Sequence, residues 1–270
     1  MNSTQQRRQL PHSIFPKHPA AARIVFQALL AWTLFAGAIF AQSSEAPAAH
    51  WKFDETGGAK AMDSSPTGVN AVLHGGMLQG ASGRLDFYGN GEYAEAPDNA
   101  ALNPKGAFTI SVWFKPSTWR AAGSQGLVCK KSIDTESGYV IYNNGTAKSK
   151  ICIRLKGTIG HGFDIFSQSD VDEDVWQNWA IVYDPAAKSA RWYRDGKLDV
   201  ERRVADAGDL GNNLPLQFGH SQTWNGFYEG QMAEVKIWTR GLPAKEIETE
   251  FAATAAHFDM TPVAQNVPPP

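Results

Sequence analysis

Residues able to do chemistry are few and scattered in this chain. The densest acidic group is Asp170, Asp172, Glu173 and Asp174, in SQSDVDEDVWQNW. Retaining glycoside hydrolysis needs two carboxyl groups roughly 5.5 Å apart over one cleft. Asp170, Asp172 and Asp174 alternate, but in a polar segment without a strand's apolar partners. A solvated loop is the expectation there. The chain contains no Gly-x-Ser-x-Gly elbow, no His-Glu-x-x-His and no Cys/His metal spacing. Its histidines are dispersed; His161 and His220 fall at loop or strand-end positions and read as polar surface groups.

Aromatic residues are plentiful instead, with 9 tryptophans and 11% aromatics. Trp119 lies in the loop-like STWRAAGSQG, and Trp224 in SQTWNGFYEG beside Asn225 and Tyr228. A small-ligand site combines an apolar platform with a few polar groups, and an exposed indole suits the apolar face of a pyranose. The candidate ligand-binding set is therefore Trp119, Trp224, Asn225, Tyr228 and His161. For both loop tryptophans the competing expectation is packing of a long loop onto the fold. Trp113, Trp176, Trp179 and Trp238 lie in strand patterns and belong with the core.

Those loops need a scaffold, and the strand pattern supplies it. Short apolar runs recur as HWKFD, AVLHG, RLDFY, EYAEA, FTISVWFKP, GLVCK, GYVIYN, KICIRLKG, FDIFSQS, NWAIVYD, ARWYRD, KLDVERR, PLQFGH and MAEVKIWTR. Turn residues separate them, as in an antiparallel sandwich or barrel. Asn90-Gly91, Asn144-Gly145 and Asp195-Gly196 read as hairpin turns, because both residue types tolerate positive φ. In FTISVWF, Phe108, Ile110, Val112 and Phe114 share one face while Thr109, Ser111 and Trp113 take the other. Bulk on both faces predicts a central strand. PAKEIETEFAAT, with Pro243 early and Ile247 and Phe251 spaced apart, predicts one short amphipathic helix.

Composition places the chain among globular proteins, with 43% hydrophobic and 19% charged residues. A formal net charge of -2 gives no basic footprint, which argues against a nucleic-acid partner. Basic residues Arg7, Arg8, Lys17 and Arg23 precede the apolar run IVFQALLAWTLFAGAIFA, which ends in small residues. This reads as a secretory signal over residues 1–41, cleaved near Ala41, rather than a membrane anchor. A short polar linker, 42–49, then leads to one domain over 50–258 and a proline-rich tail over 259–270. The expected location is secreted, periplasmic or cell-surface. Cys129 and Cys152 fall in runs flanking GYVIY. A sequential meander would separate them by ~9.6 Å, beyond the roughly 7 Å that a disulfide allows. Two buried thiols are expected.

The opening WKFDETGGAKAMDSSPTGVNAVLHGG resembles the start of a laminin-G-like domain of the concanavalin A-like lectin/glucanase superfamily. RLDFYGNGEYAEAPDNAALNPKGAFTISVWFKP, WQNWAIVYDPAAKSARWYRDGKL and FGHSQTWNGFYEGQMAEVKIWTRGLPAKEI are similar to its later blocks, in the same order. The resemblance implies an all-β, antiparallel two-sheet jelly-roll sandwich with one short C-terminal helix. It also implies a structural Ca2+ held by acidic residues of the opening segment, matched here by Asp54 and Asp63. The closing strand departs from the family pattern, reading Met232-Ala233-Glu234-Val235 where an aspartate is common. Turn capping by Asp63 is the alternative. The laminarinase-type Glu-x-Asp-x-x-Glu string of the superfamily's hydrolases is absent from this chain. The expectation is a non-catalytic exported module binding a polysaccharide or glycoconjugate. A glycan hydrolase or lyase with an atypical site, and an envelope protein-interaction or structural domain, remain alternatives.

Overall fold

Each of the strand-like runs from HWKFD to MAEVKIWTR contributes a strand in the computed structural model, which describes residues 45–75, 83–120, 123–132, 137–144 and 149–260. The signal segment, most of the proline-rich tail and Gly145 lie outside the described residues. In chain order the strands begin with β1 Ala49–Trp51, β2 Lys60–Ala61, β3 Ala71–His74, β4 Leu85–Tyr88, β5 Tyr93–Ala96 and β6 Phe108–Pro116. There follow β7 Gly126–Lys130, β8 Gly138–Asn143, β9 Ile151–Lys156, β10 Phe163–Phe166, β11 Gln177–Asp184 and β12 Ser189–Arg194. The last are β13 Lys197–Arg203, β14 Leu216–Phe218, β15 His220–Ser221, β16 Gly226–Phe227 and β17 Glu229–Trp238, before helix α1, Ala244–Ala255. The two-residue strands β2, β15 and β16 are too short to leave an alternating pattern.

Two antiparallel sheets enclose the core. One is seven-stranded, in the order β1-β17-β6-β11-β12-β13, with β4 also on β17. The other is eight-stranded, in the order β10-β9-β8-β7-β14-β5-β3-β2. Phe108, Ile110, Val112 and Phe114 of β6 face inward and join Ile141, Ile153 and Phe218 of the opposite sheet in one apolar cluster. Burying the inner faces of both sheets is what a sandwich requires. As its two-faced pattern predicts, β6 is internal, between β17 and β11.

The outer face of the seven-stranded sheet is covered by α1. Trp113 points outward from β6 and lies between Phe251 and Phe258, with ring centroids at 5.5 and 4.2 Å. Its Nε1–H donates to Thr254 Oγ1 at 2.9 Å. Lys236 Nζ donates to Glu250 of the helix at 2.9 Å. Beside them His50 Nε2 meets Glu234 Oε2 at 2.7 Å, tying β1 to β17.

The turns behave differently from one another. Asp195 and Gly196 take φ of 49° and 75° and close β12 on β13 as a tight hairpin, pairing Arg194 with Lys197. Asn90-Gly91 does not make a hairpin, contrary to expectation. Strand β4 pairs with β17 in one sheet, and β5 pairs with β3 and β14 in the other. The segment is a corner between sheets, turned by Gly89 and Gly91 at φ of 75° and 106°. The Glu92 carboxylate braces it by accepting Asn90 N–H at 2.9 Å. Cys129 on β7 and Cys152 on β9 flank β8, both reduced and buried.

Candidate functional site

Among the described residues, no helix covers the outer face of the eight-stranded sheet. Strand registers align Val72, Glu95, Gln217, Cys129, Val140, Arg154 and Asp164 in one row across seven strands. Alternation fixes their outward aim, since neighbours such as Leu73, Ala94, Phe218, Ile141 and Ile153 fill the core. Arg154 binds Asp164 through two bonds of 2.7 Å, so this cation is neutralised where it stands.

A small hairpin, β15 to β16, folds over the middle of this row. Two glycines permit its close approach. A Cβ on Gly126 would lie 2.5 Å from Ser221 N, and one on Gly226 would lie 2.0 Å from Ser124 O. The hairpin sets Trp224 on Tyr142, with centroids 4.4 Å apart, while the Arg154 guanidinium lies 5.1 Å from the indole centroid. Beneath it Cys129, Val140, Tyr142 and Cys152 form a small apolar cluster, which Trp224 and Phe166 cover in part. Asn225, exposed and at φ 52°, occupies the turn beside the indole.

The hairpin continues an aromatic ladder. His74 stacks on Tyr93 at 4.4 Å, Tyr93 meets His220 at 5.5 Å, and His220 stacks on Phe227 at 4.3 Å. All four rings are partly exposed. A polar relay orients the third. Gln217 Nε2 donates to Glu95 Oε2 at 2.7 Å, which turns Gln217 Oε1 toward His220 Nδ1, also at 2.7 Å. The His220 proton therefore sits on Nδ1. Burial holds the His220 pKa below its ordinary value, against opposing contributions from Asn225 and Glu95, so the ring is neutral at neutral pH. Its Nε2, 3.1 Å from Asn225 Oδ1, is then an acceptor; a second proton would make it a donor to that oxygen.

Of the five candidate ligand-binding residues, only Trp224 and Asn225 meet on this face, and His220, read from sequence as a polar surface group, joins them. Trp119 is fully buried against Phe114, at 5.3 Å, so it offers no platform. Its loop turns inward because Asn143 Nδ2 holds the Trp119 carbonyl at 2.7 Å. Tyr228 is likewise buried, packed edge-on against Phe87, with its hydroxyl donating to Gln231 O at 3.1 Å. His161 is exposed, but its turn is pinned to another loop by Ile159 N–H to Ala207 O at 3.0 Å. His74, Tyr93, His220 and Phe227 come together only through strand register, which no local motif announces.

The acidic residues are dispersed as well. Asp170 pairs with Lys150, Asp172 with Arg194, and Glu173 accepts Arg120 N–H at 2.7 Å. They form an exposed loop with separate tasks. Asp63 is mostly buried, and its two oxygens accept His50 N–H, Ser65 N–H and Oγ–H, and Val69 N–H, all at 2.8–2.9 Å. That donor set builds a turn and leaves no coordination sphere for a cation. Asp54 is exposed, and among the described residues no group of three metal-ligating side chains occurs. The residues at this place do not fit the calcium site that the resemblance implies.

The chain is similar in structure to the binding domain of botulinum neurotoxin serotype G, at 15% identity and a TM-score of 0.60, covering 78% of this chain and 51% of that one. It is similar to the serotype D ligand binding domain in complex with N-acetylneuraminic acid, at 11% identity and TM-score 0.62, covering 77% and 51%. The binding domain of Paraclostridial Mosquitocidal Protein 1 matches at 18% identity and TM-score 0.55, covering 72% and 50%. The chain thus spans about half the length of each, and at these identities the likeness is one of fold. Among curated proteins none matches the chain. A laminin G family model, described as the concanavalin A-like lectin/glucanases superfamily, matches residues 88–248. That stretch runs from the end of β4 into α1 and contains most strands of both sheets. By this match and by its jelly-roll sheet order, the chain belongs to the concanavalin A-like lectin/glucanases superfamily.

Proposed function

We propose that this protein is an exported, non-catalytic binding module for a glycoconjugate, and that the ligand lies on the outer face of the eight-stranded sheet. The observation that carries the reading is the hairpin over that face. It presents Trp224 and Asn225 beside a ladder of partly exposed rings, with Gln217 and Glu95 in the adjoining row. A pyranose offers an apolar face to such rings and hydroxyls to such amides and carboxylates. The basic and apolar leader is the support for export. That one structural relative's domain is in complex with N-acetylneuraminic acid lends further support to a sugar ligand.

Hydrolysis on this face meets a geometric obstacle. Its row carries two carboxylates, Glu95 on β5 and Asp164 on β10. Five strand spacings separate them, about 24 Å along the sheet. Paired glycosidase carboxylates stand about 5 to 9.5 Å apart.

A glycan array with the purified protein tests the proposal. Selective binding is expected, and Trp224→Ala is expected to weaken it at least tenfold, about 1.4 kcal/mol. Since Asp63 is committed to its turn, adding a chelator should leave binding unchanged. Binding that survives Trp224→Ala in full would move the ligand off this face. Silence of the folded wild-type protein on the array would sink the sugar reading and favour a protein partner.

A further inference from the structure

The opposite sheet carries a second collection of ligand-type groups, far in sequence from the hairpin. Strand β4 is an edge strand, paired only to β17. Register sets Asp86 beside Gln231 and Gln231 beside Lys115, giving one outward row across β4, β17 and β6. The next row pairs Tyr88 with Glu229, and Ser117 N–H donates to Glu229 O at 3.0 Å. Asp174 closes the rim from the loop before β11; its N–H donates to Pro116 O at 2.8 Å. Together these residues line a cleft of about 280 Å³.

Tyr88 sets this cleft apart. At 66% exposure it is the most exposed of the large apolar side chains among the described residues. An aromatic ring left in water on a sheet edge contributes little to folding, and it is positioned to stack on a ligand. The polar groups around it are held in advance. Gln231 Nε2 donates to Asp86 Oδ1 at 2.6 Å, and Thr118 Oγ1 donates to Glu229 Oε2 at 2.8 Å. Each carboxylate is thereby oriented with a second oxygen left to accept. Gln125 Nε2 supports Thr118 from behind, reaching its carbonyl at 3.2 Å.

From this juxtaposition we infer that the Tyr88 cleft is a second saccharide site, independent of the Trp224 face, and that it takes an uncharged pyranose. Tyr88 stacks on the sugar's apolar face. Asp86, Asp174 and Glu229 accept its hydroxyl protons, and Lys115 donates to a hydroxyl or ring oxygen. Asp86, Asp174 and Glu229 outnumber Lys115 and the Arg84 guanidinium 3.9 Å from Asp86, so the cleft is net negative and disfavours carboxylated sugars. The cleft holds about one to two sugar rings, so the end or a branch of a chain fits it better than a long run.

Saturation-transfer NMR and calorimetry on the full protein test this with three probes: a neutral glucose hexasaccharide, a neutral mannose hexasaccharide and sialyllactose. At least one neutral hexasaccharide should bind wild type and Trp224→Ala alike. Tyr88→Ala should weaken it at least tenfold, the equivalent of about 1.4 kcal/mol, while Tyr88→Phe retains most of the affinity. Asp86→Asn should weaken it in the same direction, and unchanged thermal melting of each variant shows that the fold is intact. The inference is overturned if no neutral probe binds wild type, or if Tyr88→Ala leaves every affinity unchanged. It is also overturned if a cationic peptide, and no sugar, depends on Tyr88. A result in which Trp224→Ala alone removes binding would retain the proposed function and discard this site.

Discussion

Trp113 and Trp224 occupy comparable places on opposite sheets, and they meet opposite fates. Both lie on an outer face, away from the core between the sheets: Trp113 projects from β6, and Trp224 sits in the turn of the hairpin that folds over the eight-stranded sheet. Trp113 is sealed by α1, stacked between two phenylalanines and hydrogen-bonded to Thr254. Trp224 rests on Tyr142 and Arg154, and no helix among the described residues covers it. An outer-face aromatic is thus sealed or left open according to what the rest of the chain brings over it. Among the described residues the one α-helix lies on the seven-stranded sheet, and the eight-stranded sheet is covered by the four-residue turn between β15 and β16.

The largest test of that contrast is stability. Trp113→Ala should cost about 3–5 kcal/mol, because a large cavity opens under the helix. Trp224→Ala should cost only about 1–2 kcal/mol, the worth of one aromatic pair and one cation–π contact. Urea denaturation of the two variants decides it. Equal losses would make the Trp224 hairpin a structural clamp and erase the distinction.

Gly226→Ala sharpens the comparison from the other side. The added methyl would sit 2.0 Å from Ser124 O, so the hairpin must lift from β7. A stability loss of about 1–3 kcal/mol is expected from such overpacking. Ligand binding at Trp224 should fall with it, while Tyr88-dependent binding stays constant. If glycan affinity is unaffected, the hairpin's seating is irrelevant to recognition.

The smallest effect is a difference in pH window. On the open face His220 is held below its ordinary value of 6.5 by burial. On the sealed side burial raises the Glu234 pKa, yet the His50 hydrogen bond and charge outweigh it, and the carboxyl sits below its ordinary 4.5. In both cases the unfolded chain binds more protons within the shifted window, so stability rises with pH there. The His220 contribution is present above pH 6.5 and declines as pH falls below it; the Glu234 contribution persists until below pH 4.5. Protonation also makes His220 Nε2 a donor toward Asn225, so binding at the Trp224 face should change between pH 7 and 5. His220→Gln should flatten that part of the profile, and Glu234→Gln should flatten only the acid limb. A binding profile unmoved by His220→Gln would detach the relay from recognition.

Much of the sandwich was legible before the structure, because strand alternation is written locally. Phe108 to Phe114 declared a two-faced central strand, and Ile247 and Phe251 declared the helix. What was illegible depends on where the chain goes between strands. Asn90-Gly91 has hairpin chemistry, yet it turns a corner, since β4 and β5 find partners in different sheets. Trp119 and Trp224 look equivalent in sequence, but Asn143 draws the first inward while Gly126 and Gly226 let the second ride over the sheet. The ladder of His74, Tyr93, His220 and Phe227 spans more than 150 positions of sequence, and only register assembles it.

The two reduced cysteines have a kinetic consequence. Burial raises both thiols above their ordinary pKa, so the reactive thiolate is suppressed while the strands stay closed. Alkylation of the native protein then proceeds only through opening events, at a rate set by how often each site is uncovered. Cys129 is roofed by the β15–β16 turn, whereas Cys152 lies beneath Phe166 and the indole. Site-resolved alkylation therefore compares two openings with one reagent: lifting of the hairpin at Cys129, and at Cys152 that same lifting together with breathing of the β9–β10 edge.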